Sequence, residues 1–234
     1  MSCFLSNSSL GKKLVMSVTG VFLVLFILFH MSMNVVAIAN AWGSTPFGLN
    51  YDAICAFLGT NWYALAGTLV LALGVVVHIV YAFILTVQNR KARGNVRYSV
   101  TVTEKGVDWA SKNMLVLGII VALGLVLHLC NFWAKMQLVE LLGEESANGV
   151  ALIAETFSQW YYVVLYLIWF VALWFHLTHG FWSAMQTLGW NGKTWFCRWK
   201  VIGTVYATLL VLGFLVVVLF FAGQSLFCCG SCAA

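Results

Sequence analysis

The chain has 234 residues, 62% hydrophobic and only 8% charged, with a formal charge of +5 and a single proline. A soluble domain has about 45–50% apolar and about 25% charged residues, so this composition excludes one and implies a polytopic membrane protein of uninterrupted helices. The positive charge does not point to nucleic acid, because the basic residues are gathered in loops, as insertion topology requires.

Crossing the hydrocarbon takes about 20 apolar residues as helix. Five runs qualify, at about 14–39, 62–87, 113–134, 157–187 and 201–222, and none contains Asp, Glu, Lys or Arg. The first is too long for the core of a cleavable signal and reads as a retained span. Lys12 and Lys13 precede it. Arg90, Lys91, Arg93, Arg97, Lys105 and Lys112 lie between spans two and three, and Lys193, Arg198 and Lys200 between spans four and five. Five spans put all of these on one side, the cytoplasmic one. Lys135 alone lies opposite, with Asp52, Glu140, Glu144, Glu145 and Glu155. The expectation is an all-α membrane protein, one domain over 1–234, with the N-terminus cytoplasmic and the C-terminus outside.

The loop from Gln88 to Ser111 serves as a topology signal, a lipid-binding surface or a dock for a soluble partner. Within it Arg97–Val102 alternates weakly, as a short strand does. Trp42, Trp62, Tyr63, Trp109, Trp133, Trp160, Tyr161 and Trp190 lie near span ends, where interfacial anchors sit. The seven cysteines form no zinc-ribbon spacing. The tail 223–234, with Cys228, Cys229 and Cys232, reads first as an exposed segment and second as a metal or disulfide site.

Histidines are the main titratable groups at depth: His30, His78, His128 and His176 on spans one to four, with His179 beyond His176. Ionisable groups there are costly and usually face a cofactor, a cavity or a partner. Leu71–His78 (LALGVVVH) resembles Val121–His128 (VALGLVLH). Gly74 and Gly124 each stand four residues before the histidine, on its face of the helix. Gly180 stands four residues after His176, whereas Asn34 holds that place after His30. A glycine there leaves room for something flat beside the imidazole, or serves helix contact.

Depth pairs the histidines. His30 lies 17 residues beyond Lys13, and His128 lies 16 beyond Lys112, each roughly 25 Å from the cytoplasmic edge. His78 lies 12 residues before Arg90, and His176 12 before Leu188, each roughly 18 Å from it. These sums give an outer pair, His30 with His128, and an inner pair, His78 with His176. Two imidazoles at one depth on different helices suit the two axial positions of a haem iron. Such haems carry electrons, having no open site for oxygen. A set of histidines hydrogen-bonded to neighbouring helices is the plainer reading, and a histidine-based transporter is another. His176 and His179 share a face as a zinc pair would, but span four offers no third ligand.

At these residues the chain resembles the di-haem cytochrome b membrane-anchor subunit of succinate:quinone oxidoreductases and quinol:fumarate reductases, in the single-subunit, five-helix class. Phe175–Trp182 (FHLTHGFW) is similar to that family's H-x-x-x-G-[FL]-W segment, and Ser17–Gly20 (SVTG) to its S-x-T-G segment. The resemblance covers spans one to five. It implies two haems b, with His30 and His128 holding the distal one and His78 and His176 the proximal one. It implies Ser17 at a haem propionate, His176 rather than His179 as the ligand, and Asp52 as proton acceptor for quinone, of the menaquinone type; His179, from its place beside His176, reads as a group behind the ligand, a propionate partner or a proton carrier. It further implies a bacterial cytoplasmic membrane, an FAD-containing flavoprotein and an iron–sulfur protein docked on the cytoplasmic face, and a complex that admits pairing into dimers. The dicarboxylate chemistry would then lie in the partner. Some relatives carry a Glu two residues before the span-four ligand, where this chain has Trp174, so no carboxylate proton path is expected there. Service to another quinone-linked dehydrogenase is the alternative.

Overall fold

A computed structural model describes residues 8–44, 48–94 and 109–231. The helices are α1 (Ser9–Ala41), α2 (Tyr51–Thr60), α3 (Trp62–Arg93), α4 (Trp109–Lys112), α5 (Met114–His128), α6 (Val139–Leu141), α7 (Gly149–Ser158), α8 (Trp160–Thr187) and α9 (Lys193–Ser231). A π-helix, Leu129–Leu138, joins α5 to α6. Five stretches are long and apolar enough to cross a membrane: Ser9–Ala41, Trp62–Ala92, Met114–Leu141, Trp160–Thr187 and Lys193–Leu226. They match the five expected spans in number and order.

Short polar side chains start these helices. Ser8 accepts from Gly11 N–H at 2.9 Å, Asn50 from Ala53 at 3.1 Å, Asn61 from Tyr63 at 3.0 Å and Asn148 from Ala151 at 2.9 Å. Each satisfies an N–H that the helix itself leaves unpaired. At its far end α3 stops at Gly94, whose φ of 70° suits glycine and whose N–H reaches back to Arg90.

The expected boundaries shift in every span: the first helix starts at Ser9 rather than 14 and the helix of span two runs on to Arg93 rather than 87. Span three continues through the π-helix, past Lys135, to Leu141. Span four starts at Trp160, because the chain leaves helical geometry at Gln159 (φ −92°, ψ 112°) and the preceding turns form α7 instead. Span five starts eight residues early, at Lys193. Its helix keeps Lys200 over the rings of Trp182 and Phe196, at 4.8 and 4.6 Å, and Arg198 over Trp195 at 5.2 Å. Long basic side chains of this kind reach the interface from within a helix. The helix also runs on into the tail as far as Ser231. Arg97–Val102, most of the basic loop, Cys3 and Cys232 lie outside the described residues.

Lipid is as apolar as leucine, so spans are held by packing and interhelical hydrogen bonds. The α8 helix packs against α1, α5 and α9. Its indoles bind sideways: Trp169 Nε1 donates to the Val121 carbonyl at 3.0 Å, and Trp174 Nε1 to Thr208 Oγ1 at 2.9 Å. Tyr206 of α9 donates to the Val24 carbonyl of α1 at 2.7 Å. Phe170, Phe221, Val217 and Val218 close one core cluster, and Leu173, Leu177, Ala207 and Leu210 another. Among the spans α3 packs extensively only on α1, and it reaches span three through Thr68 Oγ1 to Gln137 Oε1 at 3.0 Å.

Candidate functional site

Four spans bring their histidines together in two facing pairs. His78 and His176 stand with ring centroids 6.3 Å apart and planes at 67°. His30 and His128 stand 5.6 Å apart at 83°. These are the partners that depth selects. The first pair lies nearer the end of the molecule that carries Arg90 and Lys193; the second lies nearer the end with Asp52 and Glu140. The first pair is bridged between α3 and α8, which have no extensive backbone contact. The same holds for α1 and α5, which carry the second.

Two imidazoles on opposite sides of one metal, each nitrogen at about 2 Å, hold their centroids about 6 Å apart. The His78–His176 pair meets that spacing. Its ring planes would share the nitrogen–metal axis and are free to cross at any angle. Thr19 Oγ1 lies 3.2 Å from His78 Nδ1. The His176 Nδ1 is buried without a hydrogen-bond partner among the described residues. One ring of the pair is thus anchored at Nδ1 and the other is not, and their spacing is that of two imidazoles on one metal.

The His30–His128 level fits less well. Asn34 Nδ2 lies 2.8 Å from the His30 carbonyl and 3.3 Å from His30 Nε2. The amide nitrogen must face that carbonyl, so it donates to Nε2 as well and occupies the lone pair a metal would use. Tyr51 OH donates to Asn34 Oδ1 at 3.4 Å and holds the amide in that sense. Phe26, Phe214, Phe132, Tyr166 and Trp169 crowd the two rings, at centroid distances of 5.2 to 6.4 Å. For iron to bind at this level Asn34 must turn away and some of those rings must shift.

The glycine notches are filled by protein rather than left open. Phe22 lies against Gly74, 3.0 Å from where a Cβ would stand, the Trp169 indole against Gly124, and the Met114 methyl 3.7 Å from a Cβ at Gly180. These glycines serve packing. The glycines that do lie against imidazoles are on neighbouring helices. A Cβ at Gly20 would stand 3.4 Å from His78 Cε1, and one at Gly118 3.8 Å from His176 Cε1.

Ser17 is buried, two residues before Thr19 and so on the opposite face of α1. His179 stacks edgewise on Trp182 at 4.8 Å. Asp52 Oδ1 accepts from the Val150 N–H at 3.2 Å, at the start of α7. Its neighbour Tyr51, rather than Asp52, is linked to His30, through Asn34. No cluster of three or more metal-binding side chains occurs among the described residues, so the His176–His179 zinc pair gains no third ligand. A cavity of about 290 Å³ opens between the π-helix and the Gln159 break, lined by Asn131, Lys135, Glu155, Thr156, Gln159, Tyr161 and Tyr162.

Thr19, Asn34 and Tyr51 are the residues that sequence reasoning left without roles. Burial raises the Tyr51 phenol well above its ordinary range, which keeps it a donor. Burial likewise pushes the neighbouring Cys55 thiol from 9.0 to about 11. Its thiolate fraction at neutral pH is then about 100-fold below that of an unburied thiol. A chain keeping Cys55 as its sole cysteine should therefore react with maleimide about 100-fold more slowly folded than in denaturing detergent, and faster as pH rises. Equal rates in the two states would contradict the burial.

Compared with family models, with curated proteins and with solved structures, the chain matches none.

Proposed function

We propose that this chain is the membrane-anchor cytochrome b subunit of a succinate:quinone oxidoreductase or quinol:fumarate reductase. It joins an iron–sulfur partner at its basic end to quinone in the membrane. The observation that carries this reading is the meeting of four histidines, one from each of four spans, in two facing pairs with no carboxylate in contact with them among the described residues. The resemblance of Phe175–Trp182 and Ser17–Gly20 to the family's segments supports the choice of partner and substrate.

Each part of the chain has a task in this reading. His78 and His176 hold one haem b, and His30 and His128 the other once Asn34 has turned aside. When bound, bis-histidine haem supplies one-electron transfer and leaves no open position for oxygen. The apolar clusters around Phe170 and Leu210 keep water from the rings. The basic end faces the cytoplasm of a bacterium. Its lysines and arginines dock the flavoprotein and iron–sulfur subunits, and dicarboxylate chemistry stays in the flavoprotein. Quinone, of the menaquinone type, exchanges at the acidic end. There Asp52, beside Tyr51, is the proposed proton acceptor.

Purified from haem-replete cells, the chain should show a Soret band and a reduced-minus-oxidised b-type spectrum with two haems per chain. A colourless protein that instead carries protons or metal across vesicles would replace this reading with a histidine-based transporter. Two haems with a different co-purifying dehydrogenase would keep the cytochrome and change its partner.

A further inference from the structure

Thr19 lies on α1, one residue before Gly20, where the Nδ1–Cε1 edge of the His78 ring rests. Its hydroxyl has one proton. That proton is directed at its own helix, toward the Val15 carbonyl at 2.9 Å and the Met16 carbonyl at 3.0 Å. Toward His78 Nδ1, at 3.2 Å, the oxygen has only lone pairs left to offer. With the hydroxyl proton given to either carbonyl, the ring brings the proton to that contact.

We infer that Thr19 is the positioning residue for His78: it accepts a hydrogen bond from Nδ1–H, sets the tautomer, and leaves Nε2 as the nitrogen with a free lone pair. What Nε2 then binds rests on the proposed function; the proton's location does not. The contrast with the other histidines sharpens the assignment. His176 Nδ1 has no hydrogen-bond partner among the described residues, so His78 is the anchored member of its pair. At His30 the polarity is reversed, since the Asn34 amide donates to Nε2. A ligand histidine normally gives its other N–H to an acceptor, which orients the ring and raises its basicity. The Met16 carbonyl is a second acceptor within reach of the same ring; among the described residues Thr19 is the side chain that supplies one to the His78–His176 pair. A threonine that merely back-bonds to its own helix would leave the tautomer of His78 unaffected by its removal.

The test uses the full chain in micelles, labelled with ¹⁵N at histidine and free of haem, with His78 assigned by its absence in His78→Gln. Long-range ¹H–¹⁵N spectra at alkaline pH should show His78 protonated at Nδ1. Thr19→Val, which keeps the shape and removes the acceptor, should shift His78 toward the Nε2–H form, whereas Thr19→Ser should not. Haem titration then reads the consequence. Thr19→Val should loosen the His78–His176 level by about 10–100-fold and leave the other level unchanged. A wild-type His78 protonated at Nε2, or a Thr19→Val spectrum like wild type, overturns the inference whether or not haem binds. If the tautomers behave as described but no haem is taken up, the role of Thr19 stands and the cytochrome reading falls. Should Thr19→Val fail to insert, Thr19→Ala, which also removes the acceptor, is read in its place.

Discussion

If the chain holds the two haems proposed for it, replacing His78 with alanine should lower the haem content from two per chain to one, and His176→Ala should do the same. The two rings face each other at 6.3 Å, so either loss leaves a haem with a single protein bond and no anchored partner opposite. His30→Ala and His128→Ala should remove the other haem. Residues that act as a unit are not additive, and distant ones are. Thus His78→Ala with His176→Ala should cost no more haem than either alone. His78→Ala with His128→Ala should leave none. A pyridine haemochrome assay on the purified variants reads this directly. Two haems in both single variants of one pair would refute the pairing.

The second large effect concerns Gly124. The Trp169 indole lies directly on it, and that ring is tied by its N–H to the Val121 carbonyl at 3.0 Å. It also packs on Tyr166 at 5.5 Å and His128 at 5.8 Å. A methyl at this position has no room, and the indole cannot withdraw without losing its hydrogen bond. Overpacking of this kind costs about 1–3 kcal/mol. Gly124→Ala should therefore unfold at a clearly lower temperature in detergent, with altered tryptophan fluorescence. Gly118→Ala is the control. Its methyl would meet His176 at ordinary contact distance, 3.8 Å, and alanine gains up to about 1 kcal/mol of helix propensity. Equal melting of Gly124→Ala and wild type would show that the indole is not where the structure has it.

The spans were legible because a bilayer demands about 20 apolar residues at a stretch, a condition few other structures impose. Their ends were not. Lys193 to Lys200 continue a helix because basic side chains there lie over aromatic rings, which hydropathy counts as interruption. The short helices α2 and α7 were hidden by their length, although Asn50 and Asn148 stood in capping position. The π-helix after His128 has no signature in Leu129–Leu138. The facing of the histidines could be read because helical rise is constant. Of the two readings of the glycines the structure shows helix contact, and the sequence left both open because it shows which face a notch is on, but not which neighbour fills it. Asn34 was visible four residues after His30, and Thr19 within the SVTG segment. Their roles require knowing what stands across the gap between helices.

The least buried of the five spans is α3, and it carries His78. It is sewn to α1 along one seam and pinned to the rest at its acidic end, by Thr68 on Gln137 and by α2. The wall between His78 and the lipid is thus a single helix, with Leu69, Leu73, Val76, Val80 and Phe83 exposed along its outer side.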